Sequence, residues 1–295
     1  MGFLYFGFWA AGLVLIFGGC AGRVVVPPCV PGAVQTCAGL GAAQGVTVHD
    51  GRIYIYGDAK PGVVREYVVA SSPGLHLEAT GRAIRLTRGG VDLLNHPTGL
   101  AMRDGMPTFL GNTVTKTKQG RIYRLDLDRA FADGTVDNAV LNDAWDDLAV
   151  QGCRPEYVRV GDRFLIATSD YGPGPNFLRF YDPKLLATCA RTSEAGVMVL
   201  KVPCGPWVQS LQWVDKSGTL VIIQNIIEGR RWRLTLVSDL GAADYRGGPG
   251  VRVIDIAGHE NELEGYAEIS DELGVFITSS KNENVTFANE GTEGH

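Results

Sequence analysis

The sequence predicts an all-β fold, a β-propeller of five or six four-stranded blades, and three observations carry that prediction. Five segments share a pattern and begin Gln44-Gly-Val-Thr-Val, Thr98-Gly-Leu-Ala-Met, Glu156-Tyr-Val-Arg-Val, Gln209-Ser-Leu-Gln-Trp and Glu264-Gly-Tyr-Ala-Glu. Their starts lie 54, 58, 53 and 55 residues apart. Each carries a second polar marker 14 or 16 residues after its start: Asp58, Asn112, Asp170, Asn225 and Ser280. Repeats of this length, built from short strands and tight turns, signify a propeller; a β-helix repeat is far shorter.

The N-terminal region stands apart from the repeats. Residues Phe3 to Gly19 are apolar and uncharged and end Leu15-Ile-Phe-Gly-Gly-Cys20. A run of that length suits a secretory signal better than a membrane span. The Gly-Gly-Cys ending resembles a bacterial lipoprotein signal, which implies lipid attachment at Cys20 and a place on the periplasmic or extracellular face of the cell envelope. A plain secretory signal and an uncleaved anchor are the alternatives. The expected organisation is a signal over 1–20, a tether over 21–43 and a propeller over 44–295. The Val24–Val26 run within the tether is a candidate outer strand for the last blade.

Within each repeat, a half-buried first strand leads into a turn such as Asp50-Gly51, Asp104-Gly105 or Gly161-Asp162. Such pairs supply the positive φ that hairpins need. The second strand is the most apolar (Ile53-Tyr-Ile-Tyr, Phe164-Leu-Ile-Ala, Leu220-Val-Ile-Ile). The third ends in an acid in three repeats, at Asp126, Asp182 and Asp239. A less regular fourth strand follows, as in Val251-Arg-Val-Ile-Asp. Asp128 to Ala132 reads as a helical insertion, and a sixth, degenerate blade could lie in residues 128–153 or in the N-terminal stretch.

The net charge of −5 and the lack of any Lys/Arg-rich run argue against a nucleic-acid partner. None of the six cysteines forms a Cys-x-x-Cys pair, which argues against structural zinc. Cys29 with Cys37, or Cys189 with Cys204, could form disulfides in an oxidising compartment; inert buried thiols are the alternative. The sequence holds no Gly-x-Ser-x-Gly elbow and no Gly-Lys phosphate loop, and His259-Glu-Asn-Glu lacks the second His of a zinc-protease helix.

In a propeller the first strands line the central channel, so equivalent repeat positions converge. Gln44, Thr98, Glu156, Gln209 and Glu264, with His96 nearby, are expected to form one polar ring. Asp58, Asn112, Asp170, Asn225 and Ser280 are expected to form a second. Tyr171, Trp207 and Tyr266 lie beside ring positions as candidate pocket walls. Glu264, His96 and Glu156 are the candidate catalytic groups, since paired carboxylates serve glycoside chemistry. Gln44, Asp58, Thr98, Gln209, Tyr171 and Tyr266 are the candidate ligand contacts. Asn112, Asp170, Asn225 and Glu264 offer the oxygen set that calcium prefers.

That set and the Glu264-Gly265 element resemble the calcium-supported propeller hydrolases of the gluconolactonase and senescence-marker-protein type. The resemblance implies a metal-supported lactonase-type hydrolase. His96-Pro-Thr-Gly-Leu-Ala, Arg154-Pro-Glu-Tyr-Val-Arg-Val, Cys204-Gly-Pro-Trp-Val-Gln and Glu228-Gly-Arg-Arg-Trp-Arg-Leu-Thr are similar to stretches of an uncharacterised family of bacterial propeller proteins. The resulting expectation is an exported protein that binds a small molecule or carbohydrate at one channel mouth. A non-catalytic binding module or an envelope scaffold is the alternative.

Overall fold

The computed structural model describes residues 27–114, 116–226, 231–257 and 261–289. The apolar N-terminal segment, Cys20 and the Val24–Val26 run lie outside them. The chain enters at β1 (Val30–Gln35) and then builds blade 1 from β2 (Ala43–His49), β3 (Arg52–Gly57), β4 (Val63–Ala70) and β5 (His76–Arg85). A small ribbon of β6 (Thr87–Arg88) and β7 (Val91–Asp92) leads to blade 2, with β8 (Pro97–Ala101), β9 (Thr108–Val114), β10 (Gln119–Leu125), helix α1 (Leu127–Asp133) and β11 (Val140–Asp146). Blade 3 comprises β12 (Glu156–Val160), β13 (Arg163–Ser169), β14 (Asn176–Tyr181), helix α2 (Pro183–Leu186) and β15 (Met198–Cys204). Blade 4 is β16 (Val208–Val214), β17 (Thr219–Ile226), β18 (Arg231–Val237) and β19 (Val251–Ala257). Blade 5 holds β20 (Leu263–Ser270), β21 (Leu273–Thr278) and β22 (Val285–Asn289).

All five blades are antiparallel four-stranded sheets, and the fourth strand of blade 5 is β1, in the order β20-β21-β22-β1. The ring has five blades: residues 128–153 hold α1 and β11 of blade 2 rather than a sixth. The inner strands β2, β8, β12, β16 and β20 contact one another in succession, and β20 returns to β2.

The acids that end the third strands have a local purpose. Asp126 caps α1 by accepting from the Arg129 N–H, and Asp182 caps α2 by accepting from Lys184 and Leu185. Each satisfies N–H groups that a helix start leaves unpaired. The Asp239 carboxylate accepts from the Gly241 N–H in a turn.

Five apolar clusters fill the spaces between blades. The one at the seam joins Val46, Ile53, Ile55 and Tyr67 of blade 1 to Ala267, Val275, Ile277 and Phe287 of blade 5. The segment expected as a tether reinforces this seam, and the propeller takes in β1, upstream of Gln44. Gln35 exchanges two hydrogen bonds of 2.7 Å with the backbone of Leu77. Asn284 does the same for Cys37, accepting from its N–H at 2.8 Å and donating to its carbonyl at 2.9 Å. The five described cysteines are unpaired thiols, four of them buried, so neither expected disulfide is formed. Cys37 is part of the seam core and Cys204 of the core between blades 3 and 4.

Candidate functional site

Four inner strands begin with the same irregularity. Their register slips at Ala43/Gly45, Pro97/Gly99, Val208/Ser210 and Leu263/Gly265, which leaves Gln44, Thr98, Gln209 and Glu264 as the extra residues. A β-bulge re-aims the side chain it carries. Glycine follows two of these bulges at the seam because nothing larger fits: a Cβ on Gly45 would meet the Tyr56 hydroxyl at 2.2 Å, and one on Gly265 would lie 3.0 Å from the Gly45 backbone. The ring read from the sequence is therefore a ring of bulges.

Blade 3 departs from it. β12 pairs regularly from Glu156↔Ala167 onward, with no bulge. The mouth position is held by Arg154, which lies two residues earlier. Glu156 faces the other end of the channel, in a cavity of about 290 Å³ shared with Thr47 and Gln212. Burial pushes its carboxyl well above the usual range.

The mouth cavity has a volume of about 360 Å³ and is lined by Gln44, His96, Arg154, Tyr171, Gln209 and Glu264, with Lys118, Gln151, Glu262 and Ser279 among the remaining wall residues. That is within the usual range of ligand pockets, about 300–1,000 Å³. Two of the five described non-glycine residues with left-handed backbone line it, Lys118 (φ 55°) and Gln151 (φ 59°), and a third, Trp207 (φ 56°), packs edge-on against Tyr171 of its wall at 5.4 Å between ring centroids. Such strain persists only where the surrounding structure enforces it and tends to cluster at functional sites.

The electrostatics of the cavity separate its acids from its bases. Glu264 is only 4% exposed. Burial, then the neighbouring Glu262 carboxyl, push its pKa up to about 8 against the counter-effect of Arg154. Glu264 is thus a protonated acid at neutral pH. His96 is shifted the other way, lowered by burial and then by the Arg154 charge, so its imidazole is neutral. A carboxyl whose folded pKa is raised stabilises the fold fully below its unfolded value and loses that contribution as pH rises through its folded value. Glu264→Gln has no such loss. Its melting temperature relative to the native chain should therefore climb between pH 5 and pH 8.5; an unchanged difference in thermal melts at the two pH values would show that Glu264 does not titrate as described.

Other expected contacts are committed elsewhere. The Thr98 hydroxyl donates to the Cys153 carbonyl. The Asp58 carboxylate accepts from the Ala42 N–H at 2.7 Å. The Ser280 hydroxyl donates to the Asn282 carbonyl within its own turn. Tyr266 is buried in the core between blades 4 and 5, against Phe276, and does not line the cavity.

The four residues expected around calcium do not form one ligand set. Asp170 is fully buried and takes Arg179 in a two-point pair at 2.6 and 3.2 Å. Its oxygens also accept from the N–H groups of Val150 and Phe177. The Asn112 side-chain oxygen accepts from the His96 N–H at 2.9 Å. The backbone N–H of Asn225 donates to Trp207, and of the four only Glu264 lines the cavity. At the opposite mouth, His49, Asp50 and Asp104 bring potential ligand atoms within 4.8 Å of one another, where His49 already pairs with Asp104 at 3.2 Å.

Arg154 is the residue that the repeat alignment missed, because the spacing to Asp170 selected Glu156. The turn glycines carry the better signal. Gln44, Thr98 and Arg154 each stand seven residues before Gly51, Gly105 and Gly161.

These features define a five-bladed β-propeller with a polar cavity at one mouth of its channel. No family model and no curated protein matches the sequence. Among solved structures, the chain is similar to an exo-β-1,3-galactanase from Phanerochaete chrysosporium, solved with β-1,3-galactotriose, at 11% identity and a TM-score of 0.51, over 88% of this chain and 63% of that one. It is similar at 10% identity and a TM-score of 0.50 to an exo-β-1,3-galactanase from Clostridium thermocellum, over 88% of this chain and 62% of that one. The chain thus spans a little under two thirds of either galactanase, and at these identities the likeness is one of fold.

Proposed function

We propose that this propeller binds a carbohydrate in its Glu264 mouth cavity and hydrolyses it, with Glu264 as the proton donor. What carries the reading is a buried glutamate on the wall of a polar cavity, its carboxyl pushed up to about 8 by burial. Glycoside hydrolysis needs a carboxyl kept protonated to donate to the leaving oxygen. Glu262, on the same wall, helps raise the Glu264 carboxyl toward that form. Tyr171 offers a ring face for a sugar, and the side-chain amides of Gln44 and Gln209 offer hydroxyl partners. The two galactanases support the reading, since they are carbohydrate hydrolases built on a similar fold.

Glu264→Gln keeps shape and hydrogen bonding and removes the acid. Hydrolysis of an aryl-glycoside and oligosaccharide panel should fall by about 10²–10⁴-fold with binding retained, and the native rate should decline above about pH 8. Undiminished turnover in the folded variant would sink the acid role. Binding without turnover in the native chain would make this a carbohydrate-binding module instead.

A further inference from the structure

The cationic side of the cavity shows what kind of sugar it takes. Arg154 is 4% exposed. Its Nε donates to the Gln209 carbonyl at 2.9 Å, and its Cζ lies 5.0 Å from the Tyr171 ring centroid. Its Nη1 is cut off from solvent and has no hydrogen-bond partner among the described residues. A buried guanidinium with unfilled hydrogen-bonding capacity carries a desolvation cost. Arg154 itself lines the cavity.

The surrounding wall leaves the guanidinium available. Neither acid of the same wall, Glu262 or Glu264, forms a hydrogen bond or ion pair with it among the described residues, and Glu264 is raised toward its neutral form. Lys118 adds a second cation at the rim, where its Nζ contacts only the neutral side chain of Gln151, at 3.3 Å, among the described residues. A planar guanidinium is matched to a carboxylate in shape and hydrogen-bonding geometry. We propose that Arg154 anchors the carboxylate of an acidic saccharide, so that the mouth cavity selects a uronic acid residue over its neutral counterpart. In that pose the Tyr171 ring flanks the sugar, and the Gln44 and Gln209 side chains face its hydroxyls. This inference rests on the carbohydrate reading of the same cavity.

The test is calorimetric titration of the full chain with D-galacturonate and D-glucuronate and their trimers, against D-galactose, D-glucose and neutral trimers. Sulfated galactose and acetate serve as controls. Uronates should bind roughly 10- to 100-fold more tightly than the neutral sugars, the value of one charge-assisted contact. Arg154→Gln should abolish that preference, and Arg154→Lys should retain part of it. If neither variant folds, by circular dichroism and melting, the comparison of ligands on the native chain decides.

Equal or tighter binding of the neutral sugars would overturn the inference and leave the carbohydrate reading standing. Preference for the sulfated sugar would overturn the carboxylate assignment. Acetate binding as tightly as the uronates would overturn the saccharide. Binding of no sugar would remove both this inference and the reading beneath it.

Discussion

Asp170→Ala should destabilise the fold by about 3–5 kcal/mol, the cost of breaking a buried ion pair by removing one partner. Asp170 and Arg179 are both buried, at 0% and 4% exposure. The substitution strands the guanidinium and also frees the Val150 and Phe177 N–H groups. The melting temperature should drop by roughly 10 °C, taking on the order of 2–4 °C per kcal/mol. Adding Arg179→Met removes the stranded charge, so the double variant should recover a large part of the loss. A loss below about 1 kcal/mol in the single variant, the level of an exposed pair, would show that Asp170 is not the structural clamp described. The loop that Asp170 holds through Val150 continues into Gln151 and Arg154 of the cavity wall, so binding should weaken along with stability.

Asn284→Ala should be comparably damaging although no charge is involved. Asn284 is 1% exposed and occupies both backbone groups of the buried Cys37. Without it, a buried N–H and a buried carbonyl lose their partners, at about 1–3 kcal/mol each. The loss should appear in chemical denaturation as a lower midpoint. Asn284→Asp keeps the acceptor for the Cys37 N–H but loses the donor for its carbonyl, so a variant as stable as the native chain would argue against the two-sided arrangement.

The fold was legible in the sequence because a blade repeats. The spacing between Gln44 and Glu264, the turn pairs and the apolar second strands each specify the same unit five times. The helix after Asp126 was legible from local chemistry, and the acids at Asp126 and Asp182 stand where caps are needed. The site was legible only in part. Gln44, Gln209, Glu264, His96 and Tyr171 meet in one cavity because repeat position encodes spatial position. Asn112 and Asp170 share the same polar periodicity, yet they serve backbone N–H groups, and residue type alone does not separate the two uses. Arg154 was hidden because blade 3 lacks the bulge on which the alignment depended. The N-terminal stretch was expected to give the last blade its outer strand at Val24–Val26, and the strand that does so is β1, a few residues on; its place was not legible because it has no hairpin partner nearby in sequence, its partner β22 lying some 250 residues away.

That distant pairing determines when the site comes into existence. Glu262 and Glu264 belong to the last blade, Ala42 and Gln44 to the first, and they face one another across the join that β1 closes. During synthesis the first four blades can pack in order as they emerge, whereas the join requires contacts that span nearly the whole polypeptide and carry the largest loop-closure cost. Binding competence is then a late-appearing property, absent from any open arc of blades however well each is folded. The cavity doubles as a reporter of circularisation: ligand affinity should appear in step with protection of the β1 and β22 amides from hydrogen exchange.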